Sequence, residues 1–116
     1  MRKVLEDLIF IGTLKETYKI FGKEWTLKTL TSDEKLQATS STGDYDNVSR
    51  INALKIAFLA RALCEIDGIE LKELKEKLEF LGNLQQPVVD MLYIKFDELQ
   101  KKQDESLKEM EEDIKN

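Results

Sequence analysis

Few residues of this chain could do chemistry, and the most suggestive group is residues 44–47, with the sequence Asp-Tyr-Asp-Asn. Oxygen-bearing side chains at alternate positions are typical of the start of a calcium-binding loop. Val48 occupies the next ligand position, however, and Ser49 stands where such a loop turns on a glycine. We therefore predict that Asp44 or Asp46 caps the following helix, and we predict no metal site.

Catalytic groupings are equally scarce. The chain has no histidine, so it lacks the commonest general base, and its single cysteine, Cys64, supports neither an internal disulfide nor a Cys-rich cluster. Its five glycines are isolated, so there is no phosphate-binding loop. We predict that Cys64 fills a small apolar position in a helix and that Glu65 and Asp67 are solvated. The chain is expected to be no enzyme and to need no cofactor, with paired-carboxylate chemistry left open.

Length and composition indicate the number of domains and which classes of partner to expect. A length of 116 residues suits one domain, and a charged fraction of 35% indicates much exposed helix surface. Four of the five net negative charges fall in residues 97–116, and the longest basic run is Lys101 with Lys102. We expect no nucleic-acid partner because no basic surface is clustered. No apolar run approaches a membrane span, so we expect a cytosolic protein without a membrane partner.

Residues 16–30 alternate as a half-buried β-hairpin does. Gly22 and Lys23 match a type II′ turn, which would pair Ile20 with Trp25 and Tyr18 with Leu27. The residues that then share the core face are Tyr18, Ile20, Trp25 and Leu27. Those predicted to face solvent are Thr17, Lys19, Thr26 and Lys28.

A third strand is predicted at residues 8–11, an apolar run that ends at Gly12. The alternative is the end of a short leading helix. Because two strands alone are marginal in water, the hairpin needs this third strand or packing against helices.

The remaining chain predicts helices. Thr31 and Glu34 have the spacing of a capping box, which starts a helix at about residues 32–38, followed by a loop at 39–43. A long apolar helix is expected at 44–67, with Gly68 as its stop. Two further helices are expected at 70–81 and from 87–96 onward.

The predicted fold is therefore α+β and mostly helical, with a small antiparallel hairpin packed on a bundle of three to four helices. Residues 1–96 form the domain, and residues 97–116 form a charged helical extension. Leu107, Met110 and Ile114 share one stripe of that extension, although Gln103 interrupts the apolar line. The extension is either a solvated, fraying helix or a contact for a partner or a second copy.

The chain resembles the small tail assembly chaperones and baseplate-hub assembly proteins of tailed phages over residues 16–99. The residues of the hairpin region that carry this resemblance are Phe21 through Leu27, Leu30, Thr31 and Glu34. Those of the central helix are Arg50, Leu54, Lys55, Leu59, Ala60, Ala62, Leu63, Ile66, Asp67 and Gly68. Those of the last helix are Pro87, Val89, Leu92, Tyr93 and Phe96.

The resemblance implies a helper of virion assembly that works in the host cytoplasm. Such a protein binds a tail component, for example the helical tape-measure protein, and keeps it dispersed. Our hypothesis for the protein-binding residues is the set Phe21, Trp25, Leu107, Met110 and Ile114. Two alternatives stay open: a structural subunit retained in the virion tail, baseplate or neck, and a bacterial helical adaptor or regulatory dimer. A homo-oligomer is compatible with each.

Overall fold

The computed structural model describes residues 12–115, with side chains described through Glu109. The fold is α+β and mostly helical, as predicted. In chain order its elements are β1 (Lys15–Ile20), β2 (Lys23–Lys28), α1 (Ser32–Ser41), α2 (Asn47–Ala62), β3 (Leu63–Ile66), β4 (Ile69–Glu70), α3 (Leu74–Gly82) and α4 (Gln86–Lys115). The strands form one antiparallel sheet in the order β1-β2-β3-β4.

The first hairpin turns one residue earlier than predicted. Phe21 and Gly22 have φ values of 51° and 77°, and positive φ at both central positions is typical of a type I′ turn. Tyr18 therefore pairs with Trp25 instead of Leu27. The predicted faces survive because the partner moves by two residues, which preserves the alternation of side chains across a strand.

The main correction concerns residues 63–70. The predicted helix 44–67 ends at Ala62, and Leu63–Ile66 form β3 instead. Leu63 pairs with Leu27 and becomes almost fully buried, so packing against β2 outweighs the helical propensity of this short run. Cys64 lies between Leu63 and Glu65, which pair with the adjacent residues Leu27 and Thr26, and it is therefore the extra residue of a β-bulge. It lies in a strand and not in the predicted helix.

Gly68 consequently has a different role from the predicted helix stop. Asp67 and Gly68 have φ values of 51° and 80° and form the two-residue loop of a second hairpin, which pairs Ile66 with Ile69. Because both hairpin turns follow strands that run in the same direction, the two turns lie at the same end of the sheet. We call this end the turn end. The predicted strand at residues 8–11 lies outside the described residues.

The helix boundaries are partly as predicted. The capping box of α1 is confirmed, since Thr31 Oγ1 accepts from the Glu34 amide at 3.2 Å while a Glu34 carboxylate oxygen accepts from the Thr31 amide at 2.9 Å. Asp46 caps α2 by accepting from the Ser49 amide at 2.8 Å. Residues 39–41, predicted as loop, extend α1. Helix α3 begins at Leu74 instead of residue 70, because residue 70 ends β4 and residues 71–73 connect the strand to the helix.

The outer face of the sheet contains one further correction. Thr26 was expected to face solvent, yet it is buried in the central strand β2. Its hydroxyl lies 2.7 Å from that of Thr17, so the polar atom keeps a hydrogen-bond partner.

The core lies between the inner face of the sheet and the helices α2, α3 and α4. Its largest fully buried side chains are Leu27, Leu59, Leu63, Leu81, Leu92, Leu99 and Val89. Leu99 lies beyond the predicted domain boundary at residue 96, and Gln100 Oε1 accepts from the Leu30 amide at 3.0 Å. The domain therefore continues past residue 96 along α4.

Candidate protein-binding groove

An apolar groove opens at the turn end of the sheet, between the second hairpin and α3. It has a volume of about 460 Å³. Its lining residues are Lys23, Trp25, Ile66, Asp67, Ile69, Leu71, Phe80 and Leu84. Six of these eight side chains are apolar, so the groove suits apolar side chains better than a polar substrate.

Trp25 forms the buried base of the groove. Its side chain is only 4% exposed, and its indole nitrogen donates to the Ile20 carbonyl at 3.1 Å. The ring centroid lies 6.2 Å from that of Phe80 on α3, with the planes tilted by 35°. Trp25 is one of the predicted contact residues, but it lies below the surface, where it supports the side chains above it.

Ile69 and Phe80 supply the exposed apolar rim. Ile69 in the edge strand β4 is 68% exposed, and Phe80 on α3 is 38% exposed. Phe21, at the neighbouring turn of the first hairpin, is 66% exposed. Three large apolar side chains are therefore open to solvent around one end of the sheet, an arrangement that is typical of contact surfaces.

Ile69 and Phe80 are not among the contact residues predicted from the sequence. The predicted helices end before Gly68 and begin again at residue 70, so Ile69 falls between two helices and Phe80 within the second one. The signal that could have identified Ile69 is the pair Asp67 and Gly68, because Asp-Gly between short apolar runs is typical of a type I′ hairpin.

Asp67 ties the two hairpin turns together beside the groove. Its Oδ1 accepts from the Glu24 amide at 2.7 Å, and its own amide donates to the Glu24 carbonyl at 2.7 Å. The hydrogen bond from Glu24 and then the Lys23 ammonium, 3.4 Å away, hold the pKa of Asp67 below its usual value. The carboxylate therefore stays ionised and stabilises the two turns. A general acid would instead have to be protonated.

The surroundings of Cys64 and Tyr18 disfavour the deprotonated, reactive forms of these side chains. Burial raises the pKa of the half-buried Cys64 thiol, which disfavours the nucleophilic thiolate. Burial and the neighbouring Glu16 raise the pKa of Tyr18 to about 12. Among the described residues, no three His, Cys, Asp or Glu side chains are grouped as metal ligands.

The predicted contact residues of the C-terminal helix lie elsewhere. Leu107 is 36% exposed, and its methyl groups come within 3.0–3.2 Å of the position that a Cβ on Gly12 would occupy. This contact is at the end of the sheet opposite the turn end, so the structure does not bring Leu107 together with Phe21. The side chains of Met110 and Ile114 lie outside the described residues.

A second cavity, of about 350 Å³, lies where α2 meets the α1–α2 connection and α3. Its lining residues are Ser41, Thr42, Tyr45, Ala53, Ile56, Ala57, Leu78 and Gly82. Three of these are hydroxyl-bearing and two are alanines, so the cavity offers less large apolar surface than the groove at the turn end. We therefore take the groove at the turn end as the candidate site.

The fold is that of a small α+β protein with an apolar groove at one end of its sheet. Comparisons of the chain with protein-family models, with curated proteins and with solved structures give no match. Within residues 12–115, no helix combines the length and the apolar character needed to cross a membrane.

Proposed function

We propose that this protein is a non-enzymatic assembly factor of a tailed phage, a chaperone that holds an apolar helical segment of a tail component such as the tape-measure protein. The observation that carries the proposal is the groove at the turn end, with Ile69 and Phe80 exposed at its rim. The choice of partner rests on the resemblance of residues 16–99 to tail assembly proteins. The chaperone acts in the host cytoplasm.

The groove suits the apolar face of a helix. Residues three and four apart on a client helix lie on one face and can enter a groove together. Full burial of one large apolar side chain contributes about 1.5–3 kcal/mol, so covering Ile69 alone would strengthen binding substantially. The charged exterior of the protein, with 35% charged residues, supports dispersal of the complex.

We predict that Ile69→Ser weakens client binding about tenfold or more, because it removes the most exposed apolar side chain of the rim. Leu36→Ser is the matched control, since Leu36 on α1 is 65% exposed and lies away from the groove. The measurement is calorimetric titration of each folded variant with a purified tape-measure segment. Equal affinities for the two variants would contradict a contact at the groove.

The C-terminal part of α4 offers an alternative contact for the same client. Alanine at Leu107, Met110 and Ile114 together should leave the affinity unchanged if the groove is the contact. A large loss in this triple variant, with no loss in Ile69→Ser, would move the contact to the C-terminal helix.

The rival proposal is a structural subunit of the tail, baseplate or neck, and mass spectrometry of purified virions separates the two. A chaperone is absent from the particle and is recovered with a tail protein from infected cells. A structural subunit is present at a fixed copy number. A bacterial adaptor or regulatory dimer would show neither result.

A further inference from the structure

Helices α2 and α4 lie side by side and run in the same direction. The Asn52 side chain accepts a hydrogen bond from the side-chain amide of Gln86 at 2.8 Å. About one turn further along both helices, the Lys55 ammonium lies 3.2 Å from an Asp90 carboxylate oxygen. These four side chains are exposed or half-buried, so the line of contact between the two helices is open to solvent on this side. We call this line the seam.

Large apolar side chains lie on both sides of the seam. Ile51 is one turn before Lys55 on α2, and Ile94 is one turn after Asp90 on α4, so each shares the exposed side of its helix with a seam residue. The surface also includes the residues three positions earlier on each helix, so its exposed apolar side chains are Val48, Ile51, Met91 and Ile94. We call this surface the seam face. Apolar side chains grouped in this way are typical of an interaction site.

The two helices of the seam face have opposite charge. The charged residues of α2 are all basic: Arg50, Lys55 and Arg61. Within residues 86–100 of α4, Lys95 is directed toward the sheet, where its ammonium lies 6.0 Å from the centroid of the Tyr18 ring. The other charged residues of that segment are all acidic: Asp90, Asp97 and Glu98. The seam face is therefore complementary to a second copy of itself, with the acidic helix of one copy against the basic helix of the other.

We propose that the seam face is the interface of a homodimer with two-fold symmetry. In a two-fold interface the same surface is used by both copies, and each contact occurs twice. Helix α2 of one copy lies against α4 of the other, because this arrangement brings opposite charges together, whereas α2 against α2 would bring basic side chains together. The apolar side chains of the two seam faces are then covered by each other.

The size of the seam face suits a reversible dimer. Helix α2 has 16 residues, which corresponds to a length of about 24 Å. With α4 beside it, two helices of about 10 Å diameter present roughly 500 Å² per copy, or about 1,000 Å² in the dimer. This area is at the lower limit for a specific interface. The seam face shares no residue with the lining of the groove, so the dimer is independent of the client proposed there.

The test is sedimentation velocity of the full chain over a range of concentrations, with the variant Ile51→Ser. This substitution should raise the dissociation constant of the dimer about tenfold or more, because each dimer loses two apolar contacts. Ile69→Ser at the groove is the matched control, since Ile51 is 63% exposed and Ile69 is 68% exposed. The control should leave the dissociation constant of the dimer unchanged.

Three outcomes of this experiment would overturn the proposal. The first is an unmodified chain that stays monomeric up to about 1 mM. The second is a dimer that Ile51→Ser does not weaken, or that Ile69→Ser weakens to the same extent, since the interface would then lie elsewhere. The third is assembly beyond a dimer, because a closed two-fold interface stops at two copies.

The relative placement of the helices is tested by salt. Raising sodium chloride from about 50 to about 500 mM should weaken the dimer of the unmodified chain, because salt screens the attraction between α2 and α4 of different copies. An affinity that does not fall would overturn the arrangement of α2 against α4.

Discussion

At the scale of single residues, the side chains that first suggest chemistry serve structure. Asp46 caps α2, and Asp67 joins the two hairpin turns through the backbone of Glu24. Each carboxylate accepts a backbone amide hydrogen, and this bond is the leading reason that its pKa is lowered. A lowered carboxyl pKa in the folded state links stability to pH.

We predict that the unmodified protein is more stable than Asp67→Asn at pH 6 and that this advantage shrinks in acid. Asparagine tolerates positive φ, so the substitution mainly removes the charge. Because the pKa of Asp67 is lower in the folded than in the unfolded chain, its contribution is complete above the unfolded pKa of about 3.9 and is lost as pH falls through the folded pKa. Thermal unfolding midpoints of both proteins between pH 6 and 2.5 measure it. A constant difference across that range would contradict it.

At the scale of elements, the second hairpin decides whether the groove exists. Residues 63–66 occur in an apolar run that also suits a helix, but as β3 they place Ile66 and Ile69 beside Trp25. The turn that allows this needs two residues with positive φ, and Gly68 supplies the second at 80°. A side chain there has open space but a strained backbone.

We predict that Gly68→Ala lowers the free energy of unfolding by about 1 kcal/mol, because alanine is strained at this φ. Gly82→Ala is the matched control: Gly82 also has open space around its Cα, but it is the last residue of α3. Alanine there should be neutral or should stabilise by up to about 1 kcal/mol. Urea unfolding of both variants measures the difference. Equal effects of the two substitutions on the free energy of unfolding would show that a side chain at position 68 adds no strain.

At the scale of the whole molecule, α4 is the element that joins both ends. Thirty helical residues span about 45 Å, close to the longest dimension of 47 Å. The helix contributes Val89, Leu92 and Leu99 to the core and holds Gly12 through Gln103. The groove and the contact between Leu107 and Gly12 consequently lie at opposite ends of the protein.

We predict that Leu99→Ala lowers the free energy of unfolding by about 2–5 kcal/mol, because Leu99 is 1% exposed and its truncation leaves a cavity. Met91→Ala on the same helix is the control, since Met91 is 38% exposed and should cost about 1 kcal/mol or less. Urea unfolding followed by circular dichroism measures both. Comparable small losses would mean that α4 beyond residue 96 contributes little to the domain.

Local sequence determined the features that depend on neighbouring residues. The capping box at Thr31 and the cap at Asp46 need only a side chain and an amide three residues away. The inner face of the hairpin follows from the alternation of side chains along a strand and includes Ile20, Trp25 and Leu27. The prediction of this face is correct although the turn lies one residue earlier than predicted.

Tertiary structure decided the features that depend on distant partners. Residues 63–66 are helix-compatible by themselves, and they become β3 because Leu63 and Ile66 pair with Leu27 and Trp25, far away in the chain. The groove likewise combines β2, the second hairpin and α3, so only Trp25 among its lining was singled out from sequence as a contact residue. The local pattern thus determined the caps, the faces of the hairpin and most helices. The second hairpin and the candidate site were determined by burial against a strand about 40 residues away, which no local pattern encodes.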